Sequence, residues 1–377
     1  SFVTSSKIDI LKIRGSLGYT GKVNFSPFQA MTMYQFSGDL EYLNGIGAVP
    51  QDIGNENLGW ERELSYNLGM DISLFNRRLN FTFDIYLKKT TDLVLDASRA
   101  PSTGTTSAKE NIGEMENKGL EFQVDGMLVQ KNDFYWQVAA TGSMNRNRIL
   151  KINSALKKAN EDANKVDSKT PLAQYEEGKS TTALKVVKSA GIDPATGQEV
   201  FIKLNGERTF EYSADDKFVI GDTEPRFRGT VSTNLFYKGF SLYLLGRYEC
   251  GAYLYNETRA TKVEGANPKK NADKRVFDSR WKNPGDIAFY KDIADSDGWG
   301  TNPKHSDRFV EKENVFTLGT VNFGYEFGQN ICSKIGVRNL RVGVNMTDIV
   351  RWSNVKIERG TTYLYSNGSE FTLSTTF

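Results

Sequence analysis

Two cysteines, one histidine and no long apolar run mark this 377-residue chain by what it lacks. Cys250 and Cys332 cannot form a disulfide framework, and they fall toward opposite ends of the strand pattern described below, farther apart than a disulfide spans, so two unpaired thiols are expected. His305 lies in a long polar connection, where a solvated ring is expected, and no serine or cysteine sits in a nucleophile-elbow context. Acid–base and nucleophilic catalysis therefore lack their usual parts. Apolar stretches such as residues 242–246 are far shorter than the roughly 18 to 20 residues of a spanning helix. An excess of one charge is missing too: 48 basic and 46 acidic residues leave a net charge of +2, which gives no electrostatic basis for nucleic-acid binding. The carboxylate pairs Glu176-Glu177 and Asp215-Asp216 are neighbours in polar sequence and read as solvated, so no catalytic residue, cofactor site or metal site is expected.

What is present is a period of two, written repeatedly. Leu64, Tyr66, Leu68, Met70, Ile72 and Leu74 alternate with Glu63, Ser65, Asn67, Asp71 and Ser73. The pattern returns at Leu79, Phe81, Phe83, Ile85 and Leu87, at Phe227, Val231, Leu235 and Tyr237, and at Phe371, Leu373 and Phe377. Successive side chains of a strand point to opposite faces, so each segment has one apolar and one polar face. Ten strands are expected, near residues 8–20, 60–75, 78–95, 112–129, 133–150, 226–237, 240–255, 312–327, 337–350 and 369–377. Connections alternate between tight turns at 75–77, 130–133 and 237–239, with a modest one at 328–337, and long excursions at 21–59, 96–111, 151–224, 257–311 and 351–368. Short turns at one end and long loops at the other are the pattern of an outer-membrane barrel rather than of a soluble sandwich. A mean hydropathy of −0.49 agrees, because half of each barrel strand faces water.

Other local features have bland readings. The charge clusters within 151–169 and 262–275 read as solvated loop. Asp292, Asp295, Asp297 and Gly298 resemble fragments of a calcium loop but lack the bidentate acid that would close it, so a solvated turn is expected. Residues 192–197 are a turn by their Pro and Gly chemistry, not a phosphate loop. Trp60, Tyr66, Phe75, Phe134, Trp136, Tyr237, Phe240 and Phe327 fall near strand ends, where a barrel carries its aromatic girdles and a soluble sheet its core.

A family resemblance then becomes specific. The stretch Leu11-Lys12-Ile13-Arg14-Gly15-Ser16-Leu17-Gly18-Tyr19-Thr20-Gly21 resembles the LKLRASYGxTGN strand of SusC/RagA-family TonB-dependent outer-membrane transporters. Further similar motifs follow in family order: Asn57-Leu58-Gly59-Trp60-Glu61, Asp84-Ile85-Tyr86 with Lys88 and Thr90, Asn117-Lys118-Gly119-Leu120-Glu121, Gly191-Ile192-Asp193-Pro194-Ala195-Thr196-Gly197, Arg280-Trp281 with Pro284-Gly285-Asp286, Ser306-Asp307-Arg308-Phe309-Val310-Glu311, and Glu358-Arg359-Gly360-Thr361.

The resemblance implies an all-β chain, a transmembrane antiparallel β-barrel in the outer membrane, with residues 1–377 supplying about ten strands of the C-terminal part of a 22-stranded barrel. No signal-peptide pattern, plug domain or TonB box is visible, so these are expected elsewhere in a longer protein. Implied partners are the N-terminal half of the same barrel, outer-membrane lipid, TonB, and a SusD-like surface lipoprotein that acts as a lid. The implied substrates are oligosaccharides or oligopeptides. Trp281, Tyr290 and Trp299, aromatic residues of a long outer loop, are the expected substrate or lid contacts, and Phe377 fits the terminal aromatic by which such barrels are recognised for assembly, or simple packing at a sheet edge. Rival readings are a passive porin, a ten-stranded barrel protease and a surface-layer or adhesion protein.

Overall fold

The computed structural model describes residues 7–23, 31–42, 45–52, 54–56, 58–98, 107–111, 113–166, 168–267, 269, 271–294, 303–356 and 367–376. The period-two segments form ten strands: β1 Ile8–Lys22, β2 Glu61–Leu74, β3 Leu79–Thr91, β4 Gly113–Lys131, β5 Phe134–Ile152, β6 Phe227–Tyr237, β7 Phe240–Tyr255, β8 Val310–Glu326, β9 Asn339–Ser353 and β10 Gly368–Thr376. They pair in chain order as one antiparallel ten-stranded sheet. The sheet is not closed: among the described residues, the outer edges of β1 and β10 have no strand partner.

Register sorts the side chains by chemistry. One cross-strand row runs Lys12, Asp71, Thr82, Gln123, Thr141, Thr230, Arg247, Thr317 and Arg351. The next row, one residue along every strand, is Leu11, Ile72, Phe81, Val124, Ala140, Val231, Gly246, Leu318 and Val350. Because the side-chain period is two, these rows lie on opposite faces, and a one-residue slip would exchange them. Asn67, Asp84, Asn234 and Arg247 share the polar face; Leu68, Phe83, Leu235 and Leu244 share the apolar one.

Tight turns close one end of the sheet. Phe75, Asn76 and Arg77 all take positive φ, at 57°, 57° and 60°, and Asp9 holds this turn by accepting from the Arg77 amide at 2.9 Å. Lys238 and Gly239, with φ of 45° and 90°, join β6 to β7 in the left-handed geometry that two-residue hairpins need. Cys332 is buried in the β8–β9 turn and Cys250 lies half-buried near the far end of β7; both are free thiols. Near the turns the apolar face gathers aromatic rings, with Phe134 edge-on to Tyr237 at 5.9 Å and Phe240 against Tyr325 at 4.5 Å.

The other end is more ordered than a set of solvated loops. The first two long connections each hold a hairpin, Met33–Tyr42 with Gly45–Asp52 and Val94–Ser98 with Ser107–Asn111. The charged 151–169 cluster is instead largely helix, α1 Ser154–Lys165, capped by Asn153, whose side chain accepts from the Leu156 amide. A four-stranded sheet follows, in the order Arg208–Thr209, Glu199–Ile202, Ala183–Ile192, Lys217–Asp222. The 262–275 cluster also departs from a solvated loop: Val263 is fully buried in a short π-helical segment, Thr258–Glu264. Connections of this length bury apolar side chains of their own, and Leu184, Val186, Tyr255, Ala260, Val263, Tyr290 and Phe309 form that core.

Candidate functional site

Three sequence motifs that lie far apart in the chain meet in this loop domain. The Gly191–Gly197 turn is shaped by Asp193, whose carboxylate accepts from the Thr196 amide at 3.1 Å and hydroxyl at 2.7 Å. These bonds hold the Asp193 carboxyl below its ordinary range. Gly197 takes φ of +73°, and a Cβ there would come within 2.5 Å of the Trp281 ring. The indole thus lies flat against the glycine, and its Nε1 donates to the Pro194 carbonyl at 2.9 Å. The Gly285 amide donates to the same carbonyl at 2.8 Å.

The third motif, residues 306–311, runs alongside the Ala183–Ile192 strand. Val187 and Ser306 pair in parallel fashion, and Asp307 accepts from the Ser189 amide at 2.9 Å. Burial pushes the Asp307 carboxyl up, against the lowering effect of that amide. Arg308 donates to both oxygens of Glu199, at 2.7 and 2.6 Å, and to both of Glu264, at 2.7 and 2.9 Å. Burial alone would push this guanidinium down; the two carboxylates outweigh it, and the net shift is upward. Phe309 fills the core beside Phe289, and Glu311 accepts from Arg259 at 2.8 Å. A fourth motif works similarly: Glu61 accepts from the Val94 amide at 2.9 Å and so ties the second hairpin to the start of β2.

The expected contact residues take different places. Trp281 and Tyr290 are buried, at 9% and 6% exposure, so neither presents an open ring to a substrate; Tyr290 accepts from Arg259 through its hydroxyl at 3.1 Å. They frame the loop domain. Trp299 lies outside the described residues, as do Asp295, Asp297, Gly298, residues 358–361 and Phe377. Asp292, the remaining member of the acidic turn, caps the Ala294 amide at 3.1 Å. His305 is not a solvated loop side chain: at 7% exposure it packs edge-on to Tyr255 and bonds the Ser168 carbonyl at 3.0 Å.

Residues 8–261 match the family model described as TonB dependent receptor-like, beta-barrel. The chain belongs to that family. One TonB-dependent receptor of Formosa agariphila is 25% identical over 386 residues, covering 92% of this chain and 37% of its own length. Another is 28% identical over 371 residues, covering 93% and 36%. SusC of Bacteroides thetaiotaomicron is 31% identical over 149 residues, covering 38% of this chain and 15% of its own. The solved structure of the RagAB peptide transporter superimposes with a TM-score of 0.78 at 22% identity, over 93% of this chain and 38% of that one; its open-open state gives 0.78 at 20%, over 99% and 41%. The chain thus spans somewhat over a third of the length of the curated receptors it matches from end to end.

As an outer-membrane barrel, this TonB-dependent receptor sheet turns its apolar rows to lipid and its polar rows to the lumen. On the lumenal face Arg14 binds Asp71 at 2.9 Å and Asp84 at 3.0 Å. Tyr86 also lies on this face, donating to Asn145 at 3.2 Å.

Proposed function

We propose that this chain supplies wall strands and the outer loop domain of a TonB-dependent importer of oligosaccharides or oligopeptides. In this reading it is the C-terminal part of the barrel, completed by an N-terminal half and a plug. A SusD-like lipoprotein covers the loops, and TonB energises the plug from below. The carrying observation is the joining of two long outer connections, residues 153–226 and 256–309, into one packed domain on an open, lipid-facing wall. A rigid platform over a lumen suits the capture of a large ligand, since binding surfaces are commonly loops held by a scaffold. The docked motifs support the platform rather than touch cargo. Contact falls to side chains on its surface, such as Ile287 and Phe277, 96% and 67% exposed, and to Trp299. The proposed role is transport.

Uptake of labelled oligomers by cells with and without TonB tests the reading. Import that collapses without TonB, and also on deletion of either outer connection with the barrel still assembled, supports it. Equal uptake in the two strains would make the protein a passive porin.

A further inference from the structure

Cross-strand rows climb the wall: the apolar row that begins at Leu11, near the turn end of β1, reaches Val350, near the loop end of β9. On the same lipid-facing side, nearer the loops, another row runs Leu17, Tyr66, Leu87, Lys118 and Arg146. Its apolar members lie at the lower end and its two cations at the upper end, next above Leu120 and Met144, where the apolar run of β4 and β5 gives way to charge. Lys118 and Arg146 are directly opposed across these strands, and like charges in that relation destabilise a sheet. Lys118 has only Glu116 near it, at 3.9 Å, and no carboxylate among the described residues pairs with Arg146. One row further out, Glu116 stands between Lys89 and Arg148, and Lys89 pairs with Glu114 at 3.1 Å, so the carboxylates of this edge serve other cations. Below the pair an open groove leads away over Leu87, Ile85, Tyr66, Leu68 and Leu17, with Lys118 at its upper end. β4 and β5 have strands paired on both sides, so the two cations are exposed because they face lipid and not because they lie at a sheet edge.

We propose that this is a binding site for a phosphorylated lipid of the outer leaflet, with a phosphate between Lys118 and Arg146 and an acyl chain in the groove below them. The loop end is the outer side of such a barrel, so the pair stands at the level of the outer headgroups while the groove descends into hydrocarbon. A phosphate accepts from the Lys118 ammonium and the Arg146 guanidinium together and cancels their opposition, and basic side chains at a membrane surface attract anionic headgroups. A free phosphate would answer the charge and leave the groove empty; a lipid answers both. The inference needs only the orientation of the wall and not the nature of the cargo.

The test uses the full-length transporter with its lipoprotein, in detergent, and counts bound lipid by native mass spectrometry. The probes are diphosphorylated lipid A and the same lipid with its phosphates removed. Wild-type protein should bind the phosphorylated form about thirtyfold more tightly, as expected for two cations at a membrane surface. Lys118→Gln combined with Arg146→Gln should remove that preference without lowering the thermal unfolding temperature, because it also removes the like-charge opposition. Lys131→Gln, at the turn end of β4, should leave the preference intact. Inorganic phosphate at the same concentration should not displace the lipid, because it cannot fill the groove. Equal binding of the two lipids, a preference that survives the double substitution, an equal loss in Lys131→Gln, or displacement by inorganic phosphate overturns the inference. A transporter that keeps the lipid preference but takes up labelled oligomers equally with and without TonB would lose the import reading and retain the lipid site.

Discussion

Arg308 Nη1 lies 2.7 Å from Glu264 Oε2, with both side chains 6% exposed and the two residues 44 positions apart in the chain. The same guanidinium holds Glu199 of the other outer connection, so one side chain joins two loops. Removing one member of a buried pair leaves an uncompensated charge and costs about 3–5 kcal/mol. Arg308→Ala should therefore open the loop domain while the strands stay assembled. Limited proteolysis should reveal new cleavage within residues 153–226 and 256–309, with heat-modifiable migration of the barrel unchanged. An unaltered cleavage pattern would show that the loops are joined by something else.

Gly197 should be intolerant of any side chain. Its φ of +73° and the 2.5 Å approach of a built Cβ to Trp281 act together, since L residues rarely adopt that backbone and the indole has no room to retreat. Gly197→Ala should cost about 1–3 kcal/mol and shift the fluorescence of Trp281 toward that of a solvated indole. Gly206, with φ of +88° and nothing within 4 Å of a built Cβ, is the control, and its alanine variant should leave the emission unchanged.

The two faces of the wall should label differently. Single cysteines replacing Asn67, Asp84, Asn234 and Arg247 should react with a water-soluble maleimide, and those replacing Leu68, Phe83, Leu235 and Leu244 should not. Leu244→Arg near the bilayer midplane should cost about 2–4 kcal/mol, and arginine at a lumenal neighbour much less. Equal labelling of the two sets would mean that the register is wrong.

The Asp307 carboxyl gives the loop domain a pH dependence of definite sign. Its pKa in the fold is raised by burial, so between the ordinary aspartate value and the raised one the folded state holds the proton more tightly than the unfolded state. Stability should fall as pH rises through that window. Asp307→Asn keeps the acceptor for the Ser189 amide and should flatten this part of the proteolysis-versus-pH profile. A slope unchanged by Asp307→Asn would assign it to other groups.

The ten strands were legible because alternation is local and survives without any knowledge of partners. Leu68 beside Asn67 already separates the faces. The hairpin at 33–52 was missed although Asn44-Gly45 is a turn signature of that motif, and α1 was missed although Asn153 precedes a glycine-free, proline-free run of helix formers. The loop core was not legible in the same way. Trp281 meets Pro194 across 87 residues and Arg308 meets Glu199 across 109, and contacts of that separation leave no periodic trace. For the same reason His305, Trp281 and Tyr290 read as exposed: nothing near them in sequence shows the groups that cover them.

The open sheet is the part of the account most directly put to test. Two unpaired edges in hydrocarbon leave rows of backbone donors and acceptors unmet, at several kcal/mol each. Phe371 on β10 and Ile13 on β1 are already 80% and 72% exposed. Refolded in detergent or lipid without other strands, residues 1–377 should aggregate. Recovery of a monodisperse, heat-modifiable barrel from these residues alone would contradict the claim that they form part of a larger wall.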